Sequence, residues 1–104
     1  MYKLEFYVPK DNTEQVLEAL FKAGAGTIGH YDCCCFITEG IGQFRPLEKS
    51  NPHVGEKNIL KKISENKVEM FVSKKYVKTV KSALLDTHPY EKPAYQFFNI
   101  DDNL

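Results

Sequence analysis

The chain has 104 residues, 42% of them hydrophobic and 27% charged, which is the profile of one globular domain able to bury a core without staples. Its 14 basic and 14 acidic residues cancel, which removes the electrostatic ground for expecting nucleic acid or an anionic membrane as partner. No apolar run approaches the roughly 20 residues that span a bilayer. Charges at Lys3 and Glu5 do not fit a signal peptide, so a single domain over residues 1–104 in the cytoplasm is expected. Thiols stay reduced there.

"YKLEFYV" alternates, with Leu4, Phe6 and Val8 on one side and Lys3, Glu5 and Tyr7 on the other, the pattern of a half-buried strand. Pro9 ends it. Asp11, with Glu14 three residues on, predicts a capped helix start, and Val16, Leu17, Leu20 and Phe21 recur at helical spacing. Gly24 and Gly26 supply the stop. "HYDCCCFITE" reads as a second strand. It carries all three cysteines, Cys33, Cys34 and Cys35, and its alternation puts Cys33 and Cys35 on one face with Cys34 and Phe36 on the other. Both faces then look apolar. One is expected to pack on the helices and the other to need a second subunit.

Gly40–Gly42 predict a tight turn or bulge into a short strand around Phe44. The 14 residues from Arg45 to Asn58, with two prolines and one glycine, form a long loop of the kind that is often functional. Val68, Met70 and Val72 alternate with polar neighbours in a third strand, and the polar run Ser64–Lys67 before them fits either a longer strand or a break. A second helix follows, with Ser73 as a candidate cap and Val77, Val80, Leu84 and Leu85 as its apolar stripe. Pro89 holds His88 out of helical geometry. "PAYQFFNI" is the last strand and "DDNL" a polar tail. The order predicts an α+β, ferredoxin-like βαββαβ sandwich with two helices on one face of an antiparallel sheet and an elaborated middle hairpin and loop.

Two stretches go beyond pattern. "THPYEKPAYQFF" resembles the CutA family, small trimeric proteins named for divalent-cation tolerance. "GAGTIGHYDCCCFITEGIGQFRPLEKSNPHVGE" is similar to the domain inserted in bacterial YqfO proteins of the Nif-three-like dinuclear-metal family. The matching positions are Gly24, Ala25, Gly26, Ile28, Gly29, Tyr31, Cys34 and Phe36, then Gly40, Gly42, Phe44, Pro46, Asn51, Pro52 and Gly55. The chain departs from that pattern at Lys49 and in the two cysteines flanking Cys34. The resemblance spans essentially the whole chain and implies a CutA-like, PII-like fold and a homo-oligomer, trimer before dimer. The family's dinuclear metal site lies in flanking domains, so the chain is read as a stand-alone insert, and metal-dependent hydrolase or cyclohydrolase activity is not carried over.

The residues suggest binding more than catalysis. His88, Tyr90 and Glu91 in the "HPYE" bend are candidate ligands for a cation or polar metabolite, and the loop holding Arg45, Lys49 and His53 is a candidate cover for it. The competing reading makes "HPYE" a rigid proline bend. His30, Cys34 and His88 are the candidate soft or divalent metal ligands, although three consecutive strand cysteines have neither zinc-finger spacing nor a C-x-x-C motif. No Ser-His-Asp pattern or paired carboxylates stand out, so no catalytic residue is assigned. The expected role is a non-enzymatic, oligomeric small-molecule or metal-ion binding or regulatory module. Its rivals are a CutA-type divalent or soft-metal binder, a thiol enzyme with a low-pKa cysteine, and a protein-interaction module for a larger partner.

Overall fold

The computed structural model describes residues 1–100; the predicted polar tail lies outside the described residues. Four strands, β1 (Tyr2–Pro9), β2 (Phe36–Phe44), β3 (Lys61–Val72) and β4 (Tyr95–Asn99), form one antiparallel sheet in the order β2-β3-β1-β4. Two helices, α1 (Thr13–Lys22) and α2 (Val77–Thr87), supply the helical layer. This is the expected βαββαβ sandwich.

Alternation in β1 sends Leu4, Phe6 and Val8 into the core, opposite Met70, Val68 and Asn66 of β3. Val16, Leu17 and Leu20 of α1 and Val80 and Leu84 of α2 close over them. Each such side chain contributes about 1.5–3 kcal/mol when fully buried. Leu85 does not join this stripe; it is exposed, and Ala83 packs on the core instead.

The helix starts differ from expectation. A short 3-10 turn over Lys10–Asn12 precedes α1, and Asp11 caps nothing. Thr13 takes over: its hydroxyl donates to Pro9 O at 3.1 Å and accepts from Asn66 Nδ2 at 2.9 Å, which ties the helix start to β3 in a buried setting. A second 3-10 turn, Lys74–Tyr76, delays α2, and the Ser73 side chain makes no capping bond. The end of α1 is as predicted, with Ala25 N–H reaching back to Leu20 O and Gly24 at positive φ.

The cysteines are not on a strand. Cys33 has φ +55°, and β2 begins only at Phe36. The backbone from Gly26 to Cys34 is a closed turn: Gly26 N–H donates to Phe71 O, Cys34 N–H donates to Gly26 O, and Ile28 and Tyr31 bridge each other. These bonds fold the segment on itself and hold it out of the ladder up to Phe36. The two-and-one alternation of the thiols therefore fails. Gly40–Gly42 also form no turn; they continue β2 opposite Glu65, Ser64 and Ile63. Ser64–Lys67 belong to an unbroken β3. Because β1 stops opposite Glu65, the outer half of the β2–β3 hairpin projects beyond the sheet body as a two-stranded ribbon.

Candidate functional site

The helices cover one face of the sheet, and the site lies on the other. Register puts Thr38, Gly40, Gly42 and Phe44 of β2 on that open face beside Lys67, Glu65, Ile63 and Lys61 of β3. The loop after β2 returns toward the bend that follows α2. Between them runs a groove of about 570 Å³, lined by the sheet face, the loop residues Pro46, Pro52 and His53, and the bend residues Tyr90 to Lys92.

Backbone and side-chain bonds hold its walls. His88 leaves the helix with extended ψ, as Pro89 requires. Its ring is buried, with Nδ1 accepting from Tyr90 N–H at 3.1 Å and Nε2–H donating to Tyr7 O at 2.6 Å. Phe6 packs edge-on against it. Burial pulls the His88 pKa below its ordinary value, against the upward pull of the Tyr7 carbonyl and Glu65. Both ring nitrogens of the neutral form are thus spent on positioning the bend.

Tyr90 is the hinge pin of the groove. Its hydroxyl donates to Glu65 Oε2 at 2.6 Å, the length of a charge-assisted bond. Burial, followed by that bond and the Glu65 charge, drives the Tyr90 pKa strongly upward, so the phenol keeps its proton. Tyr90 is also ringed by aromatics, with Phe44, His53 and His88 centroids at 6.1, 6.4 and 5.0 Å. Glu91 accepts from Asn51 N–H at 3.3 Å and so joins bend to loop.

The sequence candidates separate. Tyr90 and Glu91 line the groove, His88 supports it from beneath, and Arg45 is not among the lining residues. His30 is exposed in the turn before β2, and Cys34 donates weakly to Asp32 O at 3.5 Å. Among the described residues, no three His, Cys, Asp or Glu side chains gather to hold a metal ion. Cys35 rests against the core, and burial, then its cysteine neighbours, raises its pKa. That is opposite to the thiolate an activated nucleophile needs.

Sequence reasoning missed Glu65, Gly40, Gly42 and Lys67. Glu65 sits in a polar run whose alternation carries no chemical signal. The two glycines and Phe44 were visible as part of the family pattern, but the glycines were read as a turn or bulge that parted Phe44 from the strand before it. Their shared face becomes apparent only once β2 runs unbroken to Phe44.

Among the described residues, no helix is long and apolar enough to cross a membrane. No protein-family model matches the chain. A protein of Halalkalibacterium halodurans named GTP cyclohydrolase 1 type 2 homolog is 43% identical over 98 residues, 94% of this chain but 26% of that protein. The solved structure of a Bacillus cereus protein related to NIF3 superposes with TM-score 0.81 at 34% identity, over 97% of this chain and 26% of that one. CutA1 of Pyrococcus horikoshii, 16% identical, superposes with TM-score 0.69 over 98% of this chain and 85% of its own, which shows a shared fold. The chain thus spans about a quarter of the length of the curated relative it matches. It is a homologue of one segment of the NIF3-related GTP cyclohydrolase 1 type 2 homologues, and that segment is folded as CutA is.

Proposed function

We propose that this domain is a non-enzymatic binding or regulatory module that takes a small molecule in the groove between the open sheet face, the Arg45–Asn58 loop and the His88–Lys92 bend. The observation that carries this is the pinned wall: the Tyr90–Glu65 bond, backed by His88 on Tyr7, holds a concave, aromatic-edged space open. Ligand sites of this kind are largely preformed and mostly apolar, with a few placed polar groups. The polar groups of the bend serve as struts: His88 is engaged at both nitrogens, Tyr90 with Glu65, and Glu91 with Asn51. That arrangement suits positioning better than proton transfer.

The module acts as a homo-oligomer, with a trimer expected before a dimer. Phe36 and Ile41 of the edge strand are 67% and 76% exposed, and Leu47 follows at 61%. Exposed apolar side chains along an edge strand and the loop that leaves it are expected to be covered by another chain. Two measurements test the proposal. Light scattering at micromolar concentration should report an assembly; a monomer sinks the oligomer. Fragment screening by amide NMR should show shifts concentrated at Gly40, Gly42 and Tyr90; a library that leaves these amides unmoved sinks the groove.

A further inference from the structure

Three features of the groove bear on what fills it. The first is its floor. Gly40 is not in the left-handed region, and a Cβ placed on it would meet only Glu65 O, at 4.0 Å. The fold has no steric need for glycine there. A strand glycine costs about 0.5–1 kcal/mol relative to alanine, and such positions mark close approach by a ligand or another backbone. A Gly40 side chain would stand in the groove itself.

The second feature is Glu65. Its Oε2 is held by the Tyr90 hydroxyl, and the carboxylate lies over Gly42, where any Cβ would collide with it. A carboxylate offers about four lone-pair sites and the Tyr90 hydroxyl takes one, so this lining residue keeps acceptor capacity. The third feature is charge. The lining carboxylates are Glu39, Glu65 and Glu91, against Lys67 and Lys92. Lys67 is already 3.5 Å from Glu5 of β1, and Glu39 is 3.3 Å from Lys10. Nothing here supplies a surplus of positive charge for a phosphate or carboxylate ligand. A carboxylate fixed beside the Tyr90, Phe44 and His53 rings suits the opposite sign.

We propose that the groove takes a flat organic cation, an amidinium or guanidinium on a ring-sized body, lying over Gly40 against the Tyr90 and Phe44 rings with its N–H fork on Glu65. A planar fork matches carboxylate geometry in a way that a compact ammonium does not. Its delocalised charge is weakly hydrated and favours an aromatic face. This inference rests on reading the groove as the binding site.

The test uses three probes of one shape: benzamidine, its neutral isostere benzamide, and benzylamine, whose cation is a point charge. Binding is followed by calorimetry and by the Gly40 and Gly42 amide signals of the full chain. Benzamidine should bind about 10-fold or more tighter than benzamide, the range expected for a hydrogen bond to a charged group, and tighter than benzylamine. Glu65→Gln should reduce benzamidine to the level of benzamide, and Gly40→Val, a good strand residue, should exclude all three. If benzamide equals benzamidine at these amides the cation is wrong, and if benzylamine does the planar fork is wrong; in either case the proposal falls while the groove stands. If none of the three moves them at millimolar concentration, the groove falls as well. The probe comparison needs no variant, so a misfolded substitution does not blunt it.

Discussion

Gly42 and Glu65 give opposite signs for one substitution in two backgrounds. Alanine in place of a strand glycine with ordinary φ normally stabilises, by about 0.5–1 kcal/mol. At Gly42 the new methyl would occupy the place of the Glu65 carboxylate. That group must swing away, which breaks its 2.6 Å bond from Tyr90. A hydrogen bond to a charged partner contributes roughly 1.5–3 kcal/mol. Tyr90 and Glu65 are only half-buried, so solvent brings the loss to about 1–2 kcal/mol. Set against the alanine gain, Gly42→Ala in the native chain should destabilise by about 0.5–1 kcal/mol. With Glu65→Ala already present, nothing obstructs the methyl, and the same change should stabilise by about 0.5–1 kcal/mol. Urea unfolding followed by circular dichroism on the four proteins of the cycle gives the coupling, expected near 1–2 kcal/mol. For a domain of this size each kcal/mol moves Tm by about 4–8 °C. Stabilisation by Gly42→Ala in the native chain, or coupling within about 0.3 kcal/mol of zero, would refute the pinned carboxylate.

Other substitutions probe the supports. His88 has a depressed pKa, so the unfolded chain binds its proton more readily; stability is full above the ordinary value of 6.5 and declines as pH falls through it toward the folded pKa. Thermal melts from about pH 7.5 to 5 should show a steeper decline for the native chain than for His88→Gln, and parallel lines would contradict this. Among the thiols, exposed Cys33 should alkylate first and Cys35, whose pKa is raised by burial, last; mass spectrometry of timed iodoacetamide labelling reads the order, and early loss of Cys35 would overturn it. Gly26 and Gly29 both have positive φ, but a Cβ at Gly26 meets Cys34 O and Phe21 at 2.9 Å while one at Gly29 meets nothing. Gly29→Ala should therefore cost about 1 kcal/mol of backbone strain, and Gly26→Ala clearly more, by chemical unfolding; equal costs would count against the close approach.

The core was legible because it rests on periodicity. Leu4, Phe6 and Val8, or Val68, Met70 and Val72, declare a buried face by alternation alone, and Val16, Leu17 and Leu20 do so at helical spacing. Helix starts were less legible, since Asp11 and Ser73 carry the right chemistry but Asp11 lies within a 3-10 turn and Ser73 is followed by one, and each turn moves the helix onward. No local signal announces that Thr13 will be satisfied by Asn66, 53 residues away. The cysteine run misled for a related reason. Apolar residues before Phe36 extend a strand pattern on paper, but Gly26, Gly29 and Cys33 adopt positive φ and close the segment on itself.

The candidate site was half visible, and the division has a physical basis. "HPYE" announces itself through proline and the rare pairing of His, Tyr and Glu, so the bend could be singled out from the chain alone. What the bend faces is set by sheet register. One residue of slip in β2 would turn Gly40 and Gly42 away from Glu65 and bring Ile41 under Tyr90. The groove therefore depends on β2 pairing without a break from Phe36 to Phe44, opposite a β3 that outruns β1. The bend is itself a structural element of that groove. The prolines and His88 make it rigid, and that rigidity is what presents Tyr90 to Glu65 and keeps a polar contact in place at the rim of an otherwise apolar space.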